Sequence, residues 1–187
     1  MEDLSLHILD IAENAVRAEA TRIEIILTKD EGHDLLTLEV RDNGKGMDAG
    51  TLARIRDPFF TTKQKKTGLG IPLLAQTAEL TGGSVEIASQ PGAGTVVTAS
   101  FGWCHVDRPQ VGDIASTVVT LIAGHGNEID VLYEEQTGSG LHRLDTAELK
   151  RELEGVPITD PAVLGAIRET LKTEFTLMNE VPTNVMR

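Results

Sequence analysis

Between Asp3 and about Ala18, apolar residues at Leu6, Leu9, Ile11, Ala15 and Val16 recur at helical spacing among polar ones, which predicts an N-terminal helix. A strand is expected over about 21–29. A second, Leu35-Leu36-Thr37-Leu38-Glu39-Val40-Arg41, is aliphatic and β-branched and stops at the turn signal Asp42-Asn43-Gly44. A polar interval with a short helix near 49–56 leads to a helix over 70–81 closed by Gly82-Gly83, then to strands over 83–89 and 94–101. This order suits a two-layer α/β sandwich with a mixed sheet.

The pattern breaks at Trp103-Cys104-His105-Val106-Asp107-Arg108-Pro109, so the chain divides into a first domain (1–103), a linker (104–112) and a small α+β domain (113–187). In that last part Asp113 is placed to cap a helix that ends at Gly124-His125-Gly126. A strand over 128–135 turns at Thr137-Gly138-Ser139-Gly140 into a partner strand around 141–144, and Asp145 or Thr146 caps a short helix. Asp160-Pro161 opens a final helix, on which Val163, Ile167, Leu171, Phe175 and Met178 form one apolar stripe. The expectation is that the stripe packs on its own domain, with a dimerisation or partner-binding surface as the alternative.

Three short motifs carry candidate chemistry. Asp10 and Asn14 lie four apart on the first helix, with Arg17 three further along and His7 three before. A carboxylate, an amide and a guanidinium on one face are the groups needed to hold a hard divalent ion, place a water and meet phosphate oxygens. In Asp42-Asn43-Gly44-Lys45-Gly46-Met47, Gly44 and Gly46 permit close backbone approach, while Asp42 can accept a hydrogen bond from an exocyclic amine. Gly68-Leu69-Gly70 stands before a helix whose first turn holds Pro72, so free amides and the helix dipole would face an anion. Taken singly, each has an ordinary structural explanation: a solvated helix face, an Asp-Asn-Gly turn, a lone Gly-x-Gly. Their order and spacing carry the weight.

Over about residues 3–101 the chain resembles the GHKL superfamily of ATP-binding domains, shared by gyrase, heat-shock chaperones, sensor histidine kinases and mismatch-repair ATPases. Asp10 to Asn14 resembles the N box, Asp42 to Gly46 the G1 box, Asp57-Pro58-Phe59-Phe60-Thr61-Thr62-Lys63 the F box, Gly68 to Gly70 the G2 box, and Gly92-Ala93-Gly94-Thr95 the closing glycine-rich turn. The Phe59 to Lys63 run is similar to that of bacterial sensor kinases. The resemblance implies ATP and Mg2+ as cofactors, with Asn14 ligating the magnesium ion and Asp42 reading the adenine amine. It implies further that Gly44 and Gly46 shape the base pocket and that Arg17 faces the phosphates. Gly68 and Gly70 would give amides to the phosphate tail, Thr95 would support the adenine end, and Thr62 and Leu69 belong to the same nucleotide-binding set. Lys63 would reach the terminal phosphate from a lid spanning Met47 to Thr67, whose tip also carries Lys65 and Lys66. Hydrolytic members usually have glutamate where this chain has Asp10. One methylene fewer shifts any water held there, so slow hydrolysis or dependence on a partner is expected.

Composition narrows the field. A net charge of −12 argues against nonspecific binding to nucleic acid or an anionic membrane. The single cysteine, Cys104, excludes a disulfide framework or a thiolate cluster within one chain and fits a reducing cytoplasm. No run approaches 18 consecutive apolar residues, and Met1-Glu2-Asp3 lacks a signal peptide's basic start. His33, His105, His125 and His142 show no metal-ligand spacing, and His7 lies on the pocket helix rather than on a phosphoacceptor hairpin. The chain begins almost at the first motif. The leading expectation is therefore a cytoplasmic Mg-ATP module of histidine-kinase type without its own sensor and acceptor domains, acting on a response regulator or another regulated protein. The alternatives are a nucleotide-gated binding or dimerisation switch, with a homodimer as the assembled form, and a serine kinase of the anti-sigma type. A DNA-repair or topoisomerase ATPase is disfavoured by the short lid and the acidic surface.

Overall fold

A computed structural model describes residues 3–55 and 70–175. Its elements, in chain order, are α1 (Leu4–Arg17), β1 (Arg22–Asp30), β2 (Leu35–Asp42), α2 (Ala49–Arg54), α3 (Gly70–Leu80), β3 (Val85–Gln90), β4 (Gly94–Gly102), α4 (Ile114–His125), β5 (Asp130–Thr137), β6 (Gly140–Asp145), α5 (Thr146–Glu152) and α6 (Pro161–Glu174). Six strands form one mixed sheet in the order β3-β4-β2-β1-β5-β6, in which β1 and β5 pair in parallel and every other neighbour is antiparallel. Alternation at spacing two gives β1 and β2 one buried face. Ile23, Ile25 and Leu27 of β1 and Leu36, Leu38 and Val40 of β2 are buried, while the residues between them are only partly covered.

The sequence divides the chain at 104–112, but the described residues beyond that segment share one core with those before it. β5 and β6 extend the first sheet, and Ile114, Val118, Ile122, Val131 and Tyr133 belong to the same buried cluster as Ile8, Ile25 and Leu38. The expected linker is likewise part of the fold. Gln110 and Val111 accept, through their carbonyls, the amides of Leu4 and Ser5 at 2.9 and 3.1 Å, and Asp3 accepts that of Leu6 at 3.1 Å. Three amides that the first turn of α1 leaves unpaired are satisfied in this way. Arg108, buried, donates to the carbonyls of Trp103 and Pro109 at 2.8 and 3.0 Å and lies 4.1 Å from the Trp103 ring, with Lys29 4.5 Å from the same ring.

Side chains on α1 depart from the apolar pattern read off the sequence. Leu4, Ile8 and Ala12 are fully buried together with Ile11 and Ala15, whereas Leu6 is half exposed. The buried face therefore runs through 4, 8, 11, 12 and 15, and His7 lies on it. The expected stripe packs inward, with Ile167 and Leu171 of α6 and Phe175, which caps it, buried against the common core and Phe175 stacked on Tyr133 at 5.0 Å between centroids. Met178 lies outside the described residues.

One charge cluster, centred on the buried Asp145 carboxylate, ties β1 to the β6–α5 junction. Arg22 of β1 donates to Asp145 at 3.0 Å, Arg143 reaches the same carboxylate at 2.9 Å, and Asp145 caps α5 by accepting the Ala147 amide at 2.9 Å. Burial pushes the Asp145 carboxyl up, but the Arg22 hydrogen bond, the Ala147 amide and the charges of Arg22 and Arg143 outweigh it, so the group sits below the usual carboxylate range. A depressed carboxylate contributes stability that is present above the unfolded-state value and is lost as pH falls through the folded-state one. Urea unfolding should therefore show an acid-side loss of stability that is smaller in Asp145→Asn than in the wild type; parallel pH profiles would contradict this.

Candidate functional site

The motif residues converge at the C-terminal half of α1 and the turn after β2. Leu4 to Arg17 is helical because Asp3 caps it and its apolar positions fall on one side, which leaves Asp10, Asn14 and Arg17 exposed on the other. Arg17 Nη1 donates to Asn14 Oδ1 at 2.9 Å, and Arg17 Nη2 stands 3.6 Å from Glu13. His7 does not share this face, being nearly fully buried.

Asp10 meets the start of α3. A Cβ added to Gly70 would collide with Asp10 Oδ2, so glycine at the first position of α3 is what lets the carboxylate approach the helix's positive end. This places an acid beside the amides that an anion would also seek. Gly68, Leu69, Thr62, Lys63, Phe59, Phe60 and the remaining lid residues lie outside the described residues, whereas the short helix expected near 49–56 is α2, capped by Asp48 at 2.7 Å.

The turn after β2 is locked to α1 and to the β3–β4 turn by short backbone contacts. Lys45 donates its amide to the Ala18 carbonyl at 2.8 Å, and its own carbonyl accepts the Gly92 amide at 2.7 Å. Gly44 packs where a Cβ would lie 2.6 Å from the Ala18 carbonyl oxygen. Gly46 (φ 65°) and Gly94 (φ 81°) adopt left-handed backbone, and a Cβ on either would strike a carbonyl oxygen, that of Gln90 or of Asp42 respectively. Asp42 faces inward at the end of β2, half-buried, with Oδ1 accepting the Gly44 amide at 2.8 Å. Burial raises its carboxyl above the usual range in spite of the Gly44 and Thr95 amides, which pull it down. Thr95 lies opposite Asp42 in the β2–β4 ladder.

Two positioning residues were not singled out from the sequence. Asn43 accepts the amides of Thr21 and Arg22 with Oδ1, each at 2.9 Å, and donates Nδ2 to Thr21 Oγ1 at 2.9 Å, which clasps the α1–β1 connection to the turn. The signal was present in Asp-Asn-Gly, where asparagine commonly bonds nearby backbone. Ser89 bridges Met47 N at 2.9 Å, the Gly94 carbonyl at 2.8 Å and Thr95 Oγ1 at 3.0 Å, and nothing local in the sequence marks it. Among the described residues no cluster of three His, Cys, Asp or Glu side chains is arranged to hold a metal ion, and no helix is long and apolar enough to cross a membrane.

The segment that carries these residues is similar to known proteins. A family model described as "Histidine kinase-, DNA gyrase B-, and HSP90-like ATPase" matches residues 2–103. Sensor histidine kinase ZraS of Escherichia coli is 36% identical over 91 residues, which is 49% of this chain and 20% of that protein. Sensor protein kinase FleS of Pseudomonas aeruginosa is 41% identical over 91 residues, 49% of this chain and 23% of the relative. Sporulation kinase A of Bacillus subtilis is 36% identical over 95 residues, 50% and 15% respectively. The chain thus spans less than a quarter of the length of these relatives. The crystal structure of the N-terminal domain of a DNA repair protein shares the fold at a TM-score of 0.54 and 16% identity, covering 78% of this chain and 52% of that one. With more than half of its length matched by the family model, and with the Asp10–Asn14 helix and the Asp42–Gly46 turn seated in the α/β sandwich, the chain belongs to the histidine kinase-, DNA gyrase B- and HSP90-like ATPase family.

Proposed function

We propose that this chain is a Mg-ATP-binding, histidine-kinase-like module of the cytoplasm that transfers phosphate to, or regulates, a separate protein such as a response regulator. The observation that carries this reading is the convergence of Asp10, Asn14 and Arg17 on the exposed face of α1 with the α3 start on one side and the Asp42–Gly46 turn on the other. Asp42, an acceptor at the inner end of β2, suits the adenine amine; Gly44, Gly46 and Thr95 frame the base; and Arg17 with the glycine-led end of α3 suits the phosphates.

The donor set fits magnesium. Asn14 Oδ1, on an exposed face, is a hard oxygen that accepts from Arg17 Nη1 at 2.9 Å and has a second lone pair to offer, and Asp10 offers a carboxylate on the same side. Asn14 would hold the ion, whose chemistry is to neutralise charge on the phosphates. Positioning and electrostatics suffice for phosphoryl transfer, so these residues need supply little covalent chemistry. Lys63, Thr62, Gly68 and Leu69 complete the proposal as phosphate and lid contacts.

Asp10, shorter than glutamate, favours a second reading in which nucleotide gates binding or dimerisation with slow hydrolysis. Incubation with magnesium and γ-labelled ATP separates the two, with free phosphate and protein-bound label followed together. Label on this chain or on an added response regulator establishes transfer. Free phosphate alone assigns Asp10 to water positioning. ATP bound with neither product supports the switch, and no ATP binding at all overturns both.

A further inference from the structure

The family match ends at residue 103, yet α4, beyond it, lies along α1. Thr117 Oγ1 donates to the Ser5 carbonyl at 3.4 Å, and His125 Nε2 lies 3.3 Å from Glu13 Oε1. Both pairs are separated by 112 residues, so the second contact falls eight residues further along both helices. The two helices therefore run side by side in the same direction and in register, over roughly 12 Å at the α-helical rise. β1 and β5, which follow them, also pair in parallel, with Arg22 opposite Asp130. This register delivers the last residue of α4 to the turn of α1 that carries the candidate metal ligand.

There His125 begins a short relay. Glu13 turns Oε1 to His125 and Oε2 to Arg17 at 3.6 Å, and Arg17 Nη1 donates to Asn14 Oδ1 at 2.9 Å. The Arg17 side chain is more exposed, at 51%, than those of Glu13 and His125. A long guanidinium side chain left free loses its rotamer freedom when it engages a phosphate, and a carboxylate that is itself held can order it beforehand. We propose that His125 is a positioning residue for Mg-ATP binding: it fixes Glu13, Glu13 fixes Arg17, and the C-terminal segment thereby becomes part of the nucleotide site. This inference rests on the nucleotide reading above. The segment after residue 103 then tunes affinity through α1 without touching the ligand.

The test is the Mg-ATP dissociation constant of the full chain, measured by calorimetry, alongside the thermal midpoint without nucleotide. His125→Ala should weaken binding about three-fold, the scale of a partly exposed ion-pair network. His125→Gln, whose amide can still donate to Glu13, should restore it. In an Arg17→Ala background the His125→Ala effect should vanish, which a merely structural role would not produce. Should His125→Ala fail to fold, Glu13→Gln carries the same expectation. If the wild type binds Mg-ATP but His125→Ala binds equally well, or if the loss persists unchanged in the Arg17→Ala background, the His125 assignment alone is overturned. If the wild type binds no Mg-ATP, the nucleotide reading falls and takes this inference with it.

Discussion

Asp42→Asn is expected to weaken ATP binding about ten- to a hundred-fold without lowering the stability of the nucleotide-free protein. The affinity loss follows from exchanging an ionised acceptor for a neutral amide at a half-buried position, where a charge-assisted hydrogen bond contributes roughly 1.5–3 kcal/mol. The stability expectation follows from the raised carboxyl. A carboxyl whose folded-state value lies above its unfolded one is destabilising once ionised, and the fold loses that increment as pH rises through the window between the two. Asparagine removes the charge and keeps an oxygen able to accept the Gly44 amide, so the cost disappears in the variant. Asn14→Ala provides the contrast, since it should abolish the difference in ATP affinity with and without magnesium while leaving metal-free affinity nearly unchanged. Calorimetry with ATP in magnesium and in chelator, together with urea unfolding, checks both. Unaltered affinity in both variants would show that the pocket lies elsewhere.

Gly94→Ala and Gly46→Ala should each destabilise the protein by about 3 kcal/mol or more, because strain and collision act together. Left-handed backbone costs an L-residue roughly 1–2 kcal/mol, and here the added Cβ would also strike a carbonyl oxygen of a neighbouring strand or turn. Backbone oxygens cannot rotate away as a side-chain tip can. Gly92 is the internal control: its φ is 76°, but nothing lies within 4 Å of its added Cβ, so Gly92→Ala should cost only the strain. At this chain length the difference should appear as a gap of several degrees in thermal midpoint. Equal midpoints for Gly92→Ala and Gly94→Ala would mean that the close approach of the β3–β4 turn to Asp42 does not constrain the site.

The sequence already carried the strands, the capped helices and the motif order, because these depend on periodicities of two and 3.6 and on residues such as Asp3, Asp113, Asp145 and Asp160 that bond their own neighbours. It also carried the family, since each motif is a short local run, although Gly44, Gly46, Gly70 and Gly94 are required by close approach to Ala18, Gln90, Asp10 and Asp42, which are distant in the chain. Helix phase was legible only in part. Leu6 and Leu9 are apolar, but the face that closes on the sheet passes through Leu4, Ile8 and Ala12, and the choice between adjacent faces belongs to the partner surface.

What tertiary structure alone decided concerns residues distant in the chain. The segment 104–112 reads as a linker in sequence, yet its carbonyls satisfy the first amides of α1 and its Arg108 packs on Trp103, pairings over more than a hundred residues in the first case. The parallel pairing of β5 with β1 merges the expected second domain into the first sheet, because it leaves β1 no unpaired edge and brings Val131 and Tyr133 into one buried cluster with Ile23 and Ile25. Ser89 at the Gly94–Thr95 turn and His125 at Glu13 have no local signature for the same reason. By itself the sequence determined which residues could do chemistry, because that is a property of side chains and short spacings; the fold decided which of them meet, because the contacts that hold them close across the whole sheet.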